Sequence, residues 1–198
     1  MKPVRKIIAL LVALACFLAL GFYGILLRQE LNPKLLPVLG QVNAFELTDS
    51  KGGSFGLRDL HGKVWVADFV FTTCSGLCPL MTRNMAQLYR SYQLVPDVNF
   101  VSISVNPEND TPEVLQTYAK SQKADTRLWH FLTGKREDIQ KLAVESFKIG
   151  SVKDPIFHSG KFALVDRYGN IRGYYEASEG EELSRLFKDV SRLLKERK

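Results

Sequence analysis

The side chains best equipped for chemistry are Cys74 and Cys78, set in Phe71-Thr72-Thr73-Cys74-Ser75-Gly76-Leu77-Cys78-Pro79. A pair of thiolates can hold a soft metal ion, or it can cycle between dithiol and disulfide. A two-residue spacing is the familiar redox motif. Here three residues separate the sulfurs, a longer loop that can wrap a metal yet does not forbid a disulfide. Proline after Cys78 disfavours the α region at Cys78 and itself suits the first helical turn. That predicts Cys78 at a helix N-cap, with Cys74 in the loop before it. Unpaired amides and the positive end of a helix dipole stabilise thiolates there. Gly76 is expected to let the loop fold back so that both sulfurs face one point.

The elements that must position this loop are legible around it. Val64 to Phe71 is a nearly continuous apolar, β-forming run, as expected of a strand covered on both faces. A helix is expected from Pro79 to about Leu94, and a second buried strand from Val98 to Val105. Thr111-Pro112-Glu113 opens another helix with a cap and a proline in its first turn. A short strand is expected over Leu128–Leu132 and helical spacing over Lys135–Phe147. Before them, Phe45–Thr48 and Ser54–Leu57 flank Asp49-Ser50-Lys51-Gly52-Gly53 as a hairpin. After them, Lys161–Val165 and Ile171–Tyr175 form a second hairpin, and Glu181–Lys195 an amphipathic helix. Strand, helix, strand, a helical layer, hairpin and helix is the order of a thioredoxin-like α/β fold. Its central mixed sheet is flanked by helices, here with an N-terminal hairpin and a helical insertion as additions.

Two thiolates are an incomplete metal site, and the chain offers His61, His130 and His158 as a third ligand. His61 stands beside Gly62-Lys63 in a turn and reads as solvated. His130, between Trp129 and Phe131 in a strand, reads as a packed or edge histidine. His158 precedes the last hairpin, and in a thioredoxin-like fold the loop entering that strand lies beside the cysteine loop. Isolated histidines are more often structural than ligating, and topology alone favours His158 among the three. Two thiolates and an imidazole suit Cu(I) and leave Cu(II) neutral, with an open position for ligand exchange. Zinc held by two Cys, one His and a water is the chemical rival, but a catalytic zinc would want a general base, and none is evident.

The rest of the 198 residues bounds the setting. A net charge of +6 is spread without a basic stripe interleaved with aromatics, which excludes a nucleic-acid reading. Residues 1–6 carry Lys2, Arg5 and Lys6, and residues 7–27 run uncharged. A helix of that length rises about 30 Å, enough to cross a bilayer core. Positive residues before it place the N-terminus in the cytoplasm and the rest outside. A cleaved signal peptide should have a shorter apolar stretch ending in small residues. Ala13-Leu14-Ala15-Cys16 loosely resembles a lipoprotein cleavage site, but the apolar run continues past it. An uncleaved transmembrane anchor is expected, with Cys16 a membrane-facing thiol, 28–41 a proline-stiffened linker and 42–198 the folded domain. Cys74 and Cys78 then lie on the periplasmic side of the inner membrane, where disulfides form.

In their order, these residues resemble the Sco/SenC family of copper chaperones for cytochrome c oxidase assembly. Cys74-Ser75-Gly76-Leu77-Cys78-Pro79 matches its Cys-x-x-x-Cys-Pro signature, preceded by Ala67-Asp68-Phe69-Val70-Phe71-Thr72. Ser104-Val105-Asn106-Pro107-Glu108-Asn109-Asp110-Thr111-Pro112 is similar to the family's Ser-x-Asp-Pro-x-x-Asp-Thr-Pro stretch. Trp129-His130-Phe131-Leu132-Thr133-Gly134 and His158-Ser159 follow, so the resemblance covers about residues 42 to 195. It implies a thioredoxin-like fold, copper bound by Cys74, Cys78 and His158, and delivery to the dinuclear copper centre of oxidase subunit II. Its implied partners are that subunit or its assembly factors, together with a reductant or copper donor. Asn106 departs from the pattern, standing where the family usually has Asp.

A second chemistry stays open. Asp68 lies in a buried strand six residues before Cys74, the offset of the buried aspartate in thioredoxin. A desolvated carboxyl there could shuttle a proton during thiol–disulfide exchange, or could simply bond to backbone. A thiol–disulfide oxidoreductase acting through Cys74, Cys78 and Asp68 is therefore the alternative. A peroxidase lacks its activating arginine by motif. A purely structural disulfide fits poorly with Gly76, Pro79 and the strand-to-helix location.

Overall fold

The computed structural model describes residues 14–24, 35–149 and 160–196. The chain divides into two units, Met1–Leu35 and Leu36–Lys198. In the first, residues 14–24 form a solvent-exposed helix, α1, which includes Cys16. The apolar run at 7–27 lies only partly within the described residues, and among those no helix is long and apolar enough to cross a membrane.

The second unit is built on one sheet of eight strands. In chain order these are β1 (Gly40–Gln41), β2 (Glu46–Asp49), β3 (Ser54–Gly56), β4 (Val64–Val70), β5 (Val98–Ser104), β6 (Trp129–Thr133), β7 (Lys161–Val165) and β8 (Asn170–Glu176). Across the sheet they run β1-β8-β7-β4-β5-β6-β2-β3. Strands β4, β5 and β6 are parallel; β7 and β8 return antiparallel beside β4. The helices are α2 (Cys78–Tyr92), α3 (Pro112–Ser121), α4 (Arg136–Lys141), which passes into a π-helical turn over Leu142–Ser146, and α5 (Gly180–Lys195). The β4-α2-β5 unit with β7, β8 and α5 is the mixed, helix-flanked sheet of a thioredoxin-like fold, and the β2–β3 hairpin extends it beyond β6.

Strand alternation divides the core. Val64, Val66 and Val70 face Met81, Met85 and Leu88 of α2, Leu115 of α3 and Leu186, Val190 and Leu193 of α5. Trp65, Ala67 and Phe69 face Leu60, Ile139, Leu142 and Phe147 on the other side. Every residue of β4 and β5 is buried, which is why β4 reads as a nearly continuous apolar run, broken only by Asp68. Each large apolar side chain so placed contributes about 1.5–3 kcal/mol. Phe147 closes the lower layer edge-on to Trp65 and Phe69, with ring centroids 5.9 and 5.3 Å away.

Residues read in the sequence as linker carry β1, which pairs with β8 through Gly40 opposite Ile171. Arg172, only 9% exposed, donates to the carbonyls of Leu36 and Pro37 and pairs with Asp166 and Glu196, both at 2.9 Å. One guanidinium thus ties the domain's entry, the last hairpin and the end of α5 together. Because each charge has its partner, burying it here is tolerable.

Candidate metal centre

Parallel pairing brings the carboxyl ends of β4 and β5 together, Val70 opposite Ser104, so the loops leaving both strands meet at one edge. Such crevices are where open α/β sheets place their sites. The cysteine loop is one wall. Cys78 is the first residue of α2 and is 4% exposed, while Cys74 is half-buried. The N-cap is Leu77, in the αR region, with Pro79 at the second helical position. Sequence reasoning placed Cys78 one residue outside the helix; the amide of Met81 bonds back to the Leu77 carbonyl at 3.0 Å and draws Cys78 into the first turn. Gly76 has no positive φ, and its missing side chain would sit 3.8 Å from Cys74 Sγ, an ordinary contact. The loop therefore closes without needing the conformational freedom expected of that glycine.

Both cysteines are free, and each thiol bears on the ionisation of the other. Partial burial alone would raise Cys74, but the Cys78 thiol and the amides of Cys78, Gly76 and Leu77 outweigh it and hold Cys74 below the ordinary thiol value. Burial pushes Cys78 up to about 12, reinforced by the Cys74 thiol and by the Cys74 and Asp68 charges, against the opposing Phe71 amide. The pair is thus divided: an outer sulfur that ionises readily and an inner one that keeps its proton until the outer charge is neutralised by bonding.

Asp68 is fully buried beneath them, on the face of β4 that carries Val66 and Val70. Burial raises its carboxyl to about 7. The hydroxyl of Ser102, its partner across the β4–β5 pair, eases this, but neither carboxylate oxygen has a hydrogen bond of good geometry. That hydroxyl instead accepts from the Trp129 indole N–H at 3.0 Å.

The second wall is a residue whose role sequence reasoning missed. Asp110 is fully buried and accepts from the Thr72 amide (3.1 Å), the Thr72 hydroxyl (2.5 Å) and the Ser104 hydroxyl (2.5 Å). It clamps the start of the cysteine loop to the end of β5. The signal available was an aspartate just before Thr111-Pro112, which by itself reads as helix-start chemistry; Thr111 is the actual N-cap. Asn106 joins this turn through its backbone, donating its amide to Ser104 Oγ and accepting from the amides of Asn109 and Asp110. An amide there in place of a carboxylate leaves the turn's bonding unchanged.

Of the three histidines, His61 is exposed in its turn. His130 is a packing residue: it bonds to Asn99 at 3.0 Å and lies 4.2 Å from the Phe55 ring, and burial lowers its pKa to about 4. His158 lies outside the described residues. The chain re-enters the described structure at Gly160, where an added Cβ would lie 2.6 Å from Leu77 Cδ2 in the cysteine loop. The register of β7, Ala163 opposite Ala67, carries its first residues to the same edge as the cysteines. Among the described residues no three His, Cys, Asp or Glu side chains converge as a metal site; they supply two sulfurs.

A model of the SCO1/SenC family matches residues 39–195. The chain belongs to the SCO1/SenC family. Its relatives include the SCO1 protein homolog of Bacillus subtilis, 34% identical over 160 residues that cover 78% of this chain and 83% of that protein. Two solved structures share the fold. BsSco, described with a disulfide switch and as a member of the Sco family of cytochrome c oxidase assembly proteins, is 32% identical with a TM-score of 0.73, over 83% of this chain and all of that one. ScoI of Bradyrhizobium japonicum with copper bound is 26% identical with a TM-score of 0.63, over 77% and 99%. In this SCO1/SenC chain the cysteine loop, the Asp110 clamp and the start of β7 occupy one edge of the sheet.

Proposed function

We propose that this protein is a copper-binding metallochaperone of cytochrome c oxidase assembly. It holds copper on Cys74, Cys78 and His158 and delivers it to the dinuclear copper site of subunit II. The observation that carries this reading is the packing of Gly160 against Leu77. Two residues of extended chain span at most about 7 Å, and this short tether to the cysteine loop supports the choice of position 158 for the third ligand. The donor set fits the cargo: two thiolates and an imidazole favour copper in its monovalent state and tolerate the divalent one. An outer, readily ionised sulfur and an inner, buried one suit release by stepwise ligand exchange. A copper-bound family member and another described as an oxidase assembly protein support the role. An uncleaved helix at 7–27 would hold the domain, 42–198, at the periplasmic face of the inner membrane.

A second reading rests on Asp68. A carboxyl that titrates near neutrality beneath Cys78 is placed to move a proton during thiol–disulfide exchange, and one family member is described with a disulfide switch. The dithiol required for copper is the same dithiol that exchange consumes, so the two activities alternate on one pair of sulfurs.

The test is Cu(I) titration of the reduced full chain in non-ionic detergent, in competition with a chromophoric chelator. We expect one tightly held copper per chain, lost in Cys74→Ser and Cys78→Ser. Tight, stoichiometric binding by either variant would refute the site.

A further inference from the structure

A cleft of about 490 Å³ starts at Cys74 and Cys78 and runs along α2 toward α3. Three cations line it: Arg83 and Arg90 from α2, and Lys123 from the turn after α3. All three are exposed, none forms an ion pair among the described residues, and no carboxylate among them lines the same cleft. By contrast, Arg127, Arg136 and Arg185 each sit on an acidic neighbour. Like charges gathered without counter-charge raise the local potential and attract an anionic partner.

We propose that this cleft is a docking channel for an acidic, extended segment of the polypeptide that exchanges with Cys74. The proposal rests on the reading of Cys74 and Cys78 as an exchange site and adds what that site's partner must look like. Pro79, Arg83 and Arg90 follow one stripe of α2 over about 16 Å at helical rise, a length matched by about five residues of extended chain. That length favours a polypeptide over a small anion. Arg83 and Arg90 stand two helical turns apart, about 10 Å, a span that their long side chains can bridge to carboxylates two residues apart, about 7 Å on one face of an extended strand. Ala86, between them, leaves room for a chain to lie on the helix. The Thr82 and Tyr118 hydroxyls, bonded to each other at 2.8 Å, join α2 to α3 and fix the channel's width. A segment so held presents a sulfur at its near end to Cys74, the more exposed of the two cysteines.

The probe is a six-residue peptide with cysteine first and aspartates third and fifth, all on one face of an extended strand, carrying a 2-thiopyridyl mixed disulfide; a second version has lysines for the aspartates. Reduced full chain in detergent is used in a Cys16→Ser background. The Cys74 thiolate attacks the peptide sulfur, forming a Cys74–peptide disulfide and expelling pyridine-2-thione, whose absorbance gives the rate. Cys78 then displaces the peptide as its thiol, leaving Cys74–Cys78 oxidised. At low salt the acidic peptide should react at least tenfold faster than the basic one, and the preference should collapse at high salt. It should fall to about twofold in the Arg83→Gln, Arg90→Gln, Lys123→Asn variant, where Asn keeps the left-handed backbone found at Lys123. A control, Lys51→Gln, Lys135→Gln, Lys188→Gln, makes the same change in net charge and should keep the preference. Equal rates for the two peptides, or loss of the preference in the control as well, overturn the channel. Copper titration of the same samples is read separately, so failure of the channel is distinguished from failure of the metal site.

Discussion

Asp110 and Asp68 are both sealed from solvent beside the cysteine loop, and the protein treats them in opposite ways. Asp110 receives three hydrogen bonds that satisfy its oxygens and fasten Thr72 to the end of β5. Asp68 receives none of good geometry and titrates near neutrality under Cys78. Burying a carboxylate is costly unless it is fully bonded. One of these sites is therefore structural, holding the loop in register. The other keeps a carboxyl whose burial costs stability increasingly as pH rises from 3.8 to about 7, and it is the group that the second reading uses as a proton carrier. A buried aspartate is uninformative by type; its count of donors tells which role it plays.

Removing the satisfied carboxylate should produce the largest effect. Asp110→Ala orphans the Thr72 amide and the Thr72 and Ser104 hydroxyls, and should destabilise the fold by about 3 kcal/mol or more in urea unfolding at pH 7. It should also weaken copper binding by freeing the loop. A loss below about 1 kcal/mol would show that the clamp is not what holds the loop.

Asp68→Asn should move the other way. The folded-state value, about 7, lies above the ordinary 3.8, so the native state binds this proton more tightly than the unfolded chain does. Stability from the protonated carboxyl is complete below pH 3.8 and is lost as pH rises to 7. Neutralising it should stabilise the protein at pH 8 by on the order of 3 kcal/mol and flatten this contribution to the pH profile. Disulfide exchange should slow while copper binding persists. Destabilisation at pH 8 would mean that Asp68 is satisfied after all, and the contrast with Asp110 would disappear.

Much of this was legible from residue order. The nearly continuous apolar β4, the Thr111-Pro112 start of α3 and both hairpins follow from burial, capping and turn chemistry, which act locally. What stayed hidden depends on partners distant in sequence. The Asp110 clamp spans 38 residues to Thr72, so its motif could be quoted without its purpose being visible. The β1 pairing depends on β8 and on Arg172, which no pattern around Gly40 announces. The passage of α4 into a π-helical turn at Leu142–Ser146, just before Phe147 in its seat against Trp65 and Phe69, carries no signal in the helical spacing over Lys135–Phe147. At the site itself, the strand-to-helix location of both cysteines, the burial of Asp68 and the structural part played by His130 were readable. The Leu77 cap and the ordinary backbone at Gly76 were not, because loop closure is decided by hydrogen bonds that composition does not encode.

The smallest effect follows from that last point. Gly76→Ala places a methyl at ordinary contact distance from Cys74 Sγ without forcing a positive φ. It should change unfolding stability by no more than about 0.5 kcal/mol and leave copper stoichiometry unchanged. A large loss would mean that the loop must change conformation when it works.

The central claim is settled most directly by the Cu(I) affinity of the reduced full chain, wild type against His158→Ala, measured by chelator competition with the Cys74–Cys78 redox potential followed in parallel. Loss of the imidazole should weaken binding by roughly a hundredfold or more, at least the upper end of what losing a residue that only orients a metal ligand costs, and barely move the potential. Parental affinity in His158→Ala would show that the third ligand is not this histidine and that the proposed centre is wrong.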